Sequence, residues 1–480
     1  MNEWATKSIL ELRREDGLTA EAIQELWDEN GSTISVACGA NGTISPSGEI
    51  RVPVGESKTF AIEPNTAYRI SEVLVDGASV GAVSSYTFEN VTENHTIAVS
   101  FVEVPIYNYQ ISMSTSSPSS SVTFSGASLP LGPTGRKTWT YNKVKPTVVK
   151  NGTIVYDLKR DNLALKSDGV TASDLTGTDG DVCASFSRLW FKYTPMAGQI
   201  LDVKICEYAQ AGYTCFHNLG GRARLWNHLG MFEATGTTCD SVYSATTTPT
   251  VSQSLKTFRT QAQTKNVGLD EALYGLMTYL SLVMYQTLFV HAYGTLDAQA
   301  AVGNGNTGTS AAIAVGRAEL LAASGEYGSK VTSDTHVMAL YVVNPWGNVW
   351  KFTDGCMWSG GSFGIQTDQA DLFDIELGWA NKPVTWHTFE TGIGAAVSGS
   401  YVTAFGGDPY APFFASSVTG GSSGTYACDA IWTSTGDRVC FVGGYWSSSA
   451  SAGVFCASAN HSVGGSSSTL GARLQILDAA

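Results

Sequence analysis

The sequence predicts an α+β chain dominated by strands, and three observations carry that prediction. Six short runs between 33 and 104 alternate apolar and polar residues and are separated by turn residues. One long apolar stretch, 272–294, has the length of a buried helix. From about 150 onward, strand-like runs mix with Gly/Ser/Asn-rich loops without the strand–helix alternation of a parallel sheet. The 480 residues are enough for two to four domains.

Residues 1–31 read as an N-terminal helical segment. Thr19 can cap "AEAIQELWDEN", Glu21 complements the positive helix end, and Asn30-Gly31 stops it. Ile23, Leu26 and Trp27 form one stripe. A helix this short is marginal alone, so it calls for a partner, another copy or a neighbouring subunit. The charged start "MNEWATKSILELRREDG" has no apolar core of a secretory signal.

Residues 32–104 read as a small all-β module, with strands in "ISVACG", "GEIRVPVG", "SKTFAIEP", "YRISEVLVDG", "SSYTFENV" and "HTIAVSFVE". Residues 105–150 contain "STSSPSSS" and "LPLGPTGRK" and read as a linker or small β unit. Residues 151–480 read as one large domain. Within it, "ALYGLMTYLSLVMYQTLFVHAYG" carries no formal charge, but its Tyr, Thr, Ser, Gln and His side chains favour a buried helix over a membrane span. No membrane insertion is expected.

Charged residues make up only 15% of the chain, with a net charge of −14 and a pI near 4.9, which argues against nucleic-acid binding. Nine cysteines are irregularly spaced, with no CxxC and no Cys/His set at zinc spacing, so buried thiols are expected and no metal. GxSxG, HExxH and P-loop motifs are absent. His291 sits in the apolar helix and reads as a core residue. "VGNGNTG" at 302–308 reads as a turn, and the acidic "DQADLFDIELG" at 368–378 as a solvated loop without calcium-loop spacing. No catalytic constellation and no cofactor are expected.

"HVMALYVVNPWGNVWKFTDGCMW", 336–358, is the most specific stretch. It predicts a strand over His336 to Val343, a turn at Asn344-Pro345 and Gly347-Asn348, and a returning strand over Val349 to Thr353 with Trp350 and Phe352 on one face. Gly443-Gly444-Tyr445-Trp446 and Gly471-Ala472-Arg473 follow. Arg473 is suited to hold a loop carboxylate or carbonyl in bidentate fashion.

Two resemblances follow from these motifs. Residues 32–104, through "NGTISPSGEI", "VGESKTFAIEPNTAYRISEVLVDG" and "YTFENVTENHTIAVSF", resemble the divergent internalin-type B repeat of bacterial surface proteins, which implies a spacer. The hairpin, the GG-x-W and the closing G-x-R resemble the C-type lectin fold of the formylglycine-generating-enzyme type. Within that fold, the order of "NGTIVYDLKRDNLALKSDGVTASDLTGTDGDV", "LWNHLGMFEAT", the apolar helix, "NPWGNVWKFTDG" and "YACDAIWTSTGDRVCFVGGYW" is similar to the variable proteins of diversity-generating retroelements. These include the major tropism determinants of phages. In that family adenines of a template are randomised, mostly in AAC-type codons. A randomised codon that keeps its final C never encodes Lys, Glu, Gln, Met or Trp. Between Glu390 and Gln475 the chain has no Lys, Glu, Gln or Met, and only Trp432 and Trp446 depart from the set.

The resemblance implies a C-type lectin-like domain over 151–480 whose variable ligand-binding residues are Ala427, Ala430, Ile431, Asp437, Cys440, Phe441, Tyr445, Ser447, Ser448, Ser451, Cys456, Ser458 and His461. Tyr, Ser, Gly and Asn suit such a face, because Tyr gives contact area at low entropy cost and the small polar residues adapt. The expected partner is a bacterial cell-surface protein or glycan, bound from a virion tail fibre. A homotrimer is implied by the phage members, and other tail proteins would meet the N-terminal segment. The reactive cysteines of the formylglycine enzyme have no clear counterpart. The EPN triplet of calcium-dependent lectins falls at Glu63-Pro64-Asn65, in the β module, and no WND accompanies it.

Overall fold

The computed structural model describes residues 31–216, 224–321, 330–332, 335–367 and 374–479, with Lys330 and Val331 as backbone only. The expected N-terminal helix lies outside the described residues. Strand accounts for 39% of the described residues and helix for 13%, so the β half of the expectation dominates. The chain divides into two compact units, 1–105 with 208–211, and 106–207 with 212–480.

The smaller unit has two sheets around one core. The first runs Glu49–Val52, Ser32–Cys38, His95–Glu103, Tyr68–Val75, Ala78–Gly81, and the second Gly42–Ser45, Lys58–Pro64, Ser85–Phe88. Alternation sends Ile34, Phe60, Ile62, Val73, Ile97 and Val99 inward. The first boundary therefore falls where the sequence predicts it.

The second boundary does not. Residues 106–150 are no linker but part of the large unit. Ile106–Ser112 is an inner strand of a four-stranded sheet and Val144–Lys150 an inner strand of a seven-stranded one. "GPTGRKTWTYN" is a helix, Gly132–Asn142, with Pro133 in its first turn, where proline costs no hydrogen bond.

The large unit is built round the helix Tyr279–Tyr293, fourteen of whose fifteen residues are buried. A helix apolar on every side belongs inside a core. Thr278 caps it by accepting from Ser281 N, and Gly294, at φ 66°, ends it in the left-handed conformation. No helix among the described residues is long and apolar enough to cross a membrane.

The seven-stranded sheet runs Asn162–Lys166, Thr153–Lys159, Val144–Lys150, Asp181–Ser187, Trp226–Gly230, Leu474–Leu477, Tyr274–Leu276. A further sheet runs His387–Glu390, Ser362–Ile365, Trp350–Ser359, Asp437–Val442, Ala457–Ser462, Ala430–Thr433, Val397–Tyr401, with Leu470–Gly471 beside Trp350. The hairpin expected at 336–353 is different. Val337–Ala339 folds back at once onto Val342–Val343 through Leu340 and Tyr341, both at positive φ. The strand Trp350–Ser359 pairs instead with Asp437–Val442. Arg473 is fully buried and donates to the carbonyls of Gly230, Met231, Val343 and Asn344. Among the described residues carbonyls alone take up the fork, and no loop carboxylate is bonded to it.

Candidate ligand-binding face

Every ladder pair of the 350–462 sheet sets two side chains on the same face. Phe352 lies opposite Phe441, Phe441 opposite Ser458, Trp432 beside Ser458 and Val439 opposite His461. These residues form a front face. Lys351, Cys440, Val442, Ile431, Ala457 and Ala459 alternate with them and form the back. Cys440, Val442, Ile431 and Ala459 join the same core cluster as the helix Tyr279–Tyr293.

The front face is centred on Trp350, which is 6% exposed. Trp432 meets it edge-on at 5.7 Å, Phe441 at 5.1 Å, and Tyr445 stacks at 6.4 Å. His461 packs edge-on against Phe441 at 5.2 Å. Trp432, Tyr445 and His461 keep part of their surface in solvent. Among the described residues, the Trp432 indole N–H, the Tyr445 hydroxyl and the His461 ring have no hydrogen-bond partner. Burial, and then the charge of Arg438, hold the His461 imidazole below its ordinary pKa, so it presents a neutral ring.

Gly443 and Gly444 set the loop that delivers Tyr445. Both have positive φ, and a Cβ on Gly443 would sit 2.6 Å from the Pro345 carbonyl oxygen. The loop is then tied by its own serines. Tyr445 N donates to Ser448 Oγ at 2.9 Å and Ser451 Oγ to the Ser448 carbonyl at 2.6 Å. Gln299 Nε2 donates to the carbonyls of Ser449 and Ala452, each at 2.9 Å. A cavity of about 250 Å³ adjoins this loop, lined by Asp297, Gln299, Asn304, Cys428, Asp429 and Ala450 among others. Burial pushes the Asp429 carboxyl well above the usual carboxylate range, and Phe455 N donates to it at 2.7 Å.

The thirteen expected contact residues therefore separate. Tyr445, Ser447, Ser451, His461 and Asp437 reach solvent at least in part. Asp437 is nevertheless occupied: it accepts from Ser359 Oγ at 2.8 Å and from Trp379 N at 2.7 Å, and so pins the 374–381 loop. Eight others are buried and are corrected here as contact residues: Ala427, Ala430, Ile431, Cys440, Phe441, Ser448, Cys456 and Ser458. Ile431 and Cys440 point to the back of the sheet. Phe441 and Ser458 point to the front but are 2% exposed under their aromatic neighbours. Ser448 spends its hydroxyl on the loop. Trp432, one of the two residues outside the codon set, is a front-face residue the sequence reading missed. Strand alternation about Ile431 was the available signal.

Burial pushes the thiols of Cys440 and Cys456 up, which disfavours a thiolate nucleophile at either position. Seven of the nine cysteines are buried. Among the described residues no group of three His, Cys, Asp or Glu side chains is placed to hold a metal ion. No protein-family model matches the chain, and no curated protein matches it.

Proposed function

We propose that the large unit is a C-type lectin-like ligand-binding domain, and that the chain is a receptor-binding protein of a phage tail fibre. On this reading a retroelement diversifies the segment 427–461, and the partner is a protein or glycan of a bacterial surface. The observation that carries it is the front face itself. Trp432, Tyr445 and His461 stand partly exposed round Trp350, their polar tips without a hydrogen-bond partner among the described residues, inside a segment that lacks Lys, Glu, Gln and Met. Aromatic rings with one apolar side and one polar tip, flanked by small hydroxyls, are what adaptable binding surfaces use. The stiff sheet beneath spares the ligand the cost of ordering the face. Display of several copies, as in a trimer, would raise modest single-site affinity by avidity.

The double variant Trp432→Ala/Tyr445→Ala tests the proposal. Adsorption of virions, or binding of the purified chain to host cells, is expected to drop at least tenfold while the melting transition is retained. Unchanged adsorption with an intact fold would reduce the chain to a structural fibre subunit. Adjoining DNA supplies a second check: a near-copy of the segment differing at adenines, beside a reverse transcriptase, is expected.

A further inference from the structure

A buried cluster at the back of the Trp350 strand carries chemistry that ligand binding does not use. Glu233 and Asn348 are 0% exposed and Lys351 is 1% exposed. Lys351 Nζ lies 3.3 Å from Glu233 Oε1 and donates to the Gly347 carbonyl at 2.7 Å, which folds it back beside residue 348. Glu233 Oε2 accepts from Asn348 Nδ2 at 2.5 Å and from Asn344 Nδ2 at 3.1 Å. Asn348 Oδ1 accepts from Ile313 N at 2.8 Å and from Asn306 Nδ2 at 3.1 Å. One carboxylate thus touches an amine and the leaving nitrogen of a carboxamide, while two N–H groups hold that carboxamide's oxygen. The latter is the arrangement that stabilises a tetrahedral oxyanion.

From this geometry we propose that Lys351 and Asn348 are joined by an intramolecular amide bond formed without any other enzyme. Lys351 Nζ passes a proton to Glu233, and the free amine attacks Asn348 Cγ, forming the new C–N bond. Negative charge gathers on Oδ1 between Ile313 N–H and Asn306 Nδ2. Glu233 delivers its proton to Nδ2, the Cγ–Nδ2 bond breaks, and ammonia leaves. The excess proton on Nζ returns to Glu233 and is carried off by the ammonia as ammonium. No oxidant or co-reactant is needed. Two further observations agree. Burial, outweighing the attraction of Glu233, lowers the Lys351 pKa to about 8, which brings the amine form within reach near neutral pH. A cavity of about 20 Å³ lined by Lys351, Arg473, Tyr285 and Gly443 gives a small neutral molecule somewhere to go.

Mass spectrometry of the denatured full chain tests this, independently of any ligand. The intact chain is expected to be lighter by one ammonia. Trypsin should fail to cut after Lys351, and it does not cut the Lys382-Pro383 bond, so a peptide running from Val331 to Arg438 carries the loss, with fragments assigning it to the 348–351 pair. Glu233→Gln and Asn348→Ser are expected to restore full mass and cleavage at Lys351, while Asn344→Ser keeps the bond. A wild-type chain of full mass that is cut after Lys351 overturns the proposal, and that measurement decides even if a variant fails to fold. An ammonia loss traced instead to an Asn-Gly pair such as Asn151-Gly152, with Lys351 still cut, overturns it equally.

Discussion

Between Ile431 and Trp432 one peptide bond separates a core residue from a surface one. Ile431 is 2% exposed and packs behind the sheet; Trp432 stands in front of it. Ile431→Ala is therefore expected to cost about 2–4 kcal/mol in a denaturant titration, the range for a large-to-small change in a packed core. Trp432→Ala is expected to cost under about 1 kcal/mol, as partly exposed side chains usually do. Comparable losses at both positions would contradict the assignment of faces. Of the side chains the sequence marked in this segment, eight of thirteen are buried, and the reason they could not be told from the exposed ones is physical. Serine, glycine, alanine and cysteine are too alike in polarity to reveal a two-residue period. The irregularity between Val439 and Phe441 also shifts the phase, so that His461 and Ser458 share a face despite their odd spacing. Tyr445 and His461 were legible because only large or titratable side chains stand out against such a background. Asp437 was misread because a carboxylate on a turn looks the same whether it meets a ligand or pins Trp379.

At the scale of elements, the helix Tyr279–Tyr293 was the most legible feature, since length and unbroken apolarity survive any context. His291 within it behaves as a core residue should. It is 0% exposed, and Ser128 Oγ and Thr140 Oγ1 lie 3.0 and 2.8 Å from its ring nitrogens. Burial, and then the charge of Arg136, lower its pKa to about 3. The unfolded chain takes up this proton near pH 6.5, the folded one only near 3, so stability falls as pH drops through that window. The loss attributable to His291 is on the order of a few kcal/mol at most. His291→Phe should be less stable at neutral pH but show a flatter profile from pH 6.5 to 4, measured by chemical denaturation at each pH; parallel profiles would refute the role. The helix Gly132–Asn142 was not legible. Its serine-rich approach and Pro133 read as a linker, although proline in a first helical turn is a start signal. The turn at Leu340 and Tyr341 was equally hidden, because bulky residues seldom take positive φ.

For the whole molecule, the division near residue 105 was readable from composition and periodicity, whereas the strand orders were not. The partners of Leu474–Leu477, at Asn227–Leu229 and Tyr274–Leu276, lie some two hundred residues or more upstream, and nothing local in "LQIL" says that it sits between them. That placement makes a prediction. A chain stopped after Leu470 lacks both this inner strand and Arg473, whose guanidinium bonds four carbonyls of two separate segments. It is expected to be insoluble or protease-sensitive throughout 106–470, judged by limited proteolysis. A protected large unit in that truncation would show that the strand is dispensable.

The position of that strand also bears on how copying errors are tolerated. A ribosome must read through 427–461 in frame before Leu474–Leu477, the strand that closes the framework, is made. A chain that loses its frame there lacks that strand and is discarded as misfolded protein, so that, if the proposed diversification operates, every copy that folds carries an intact face.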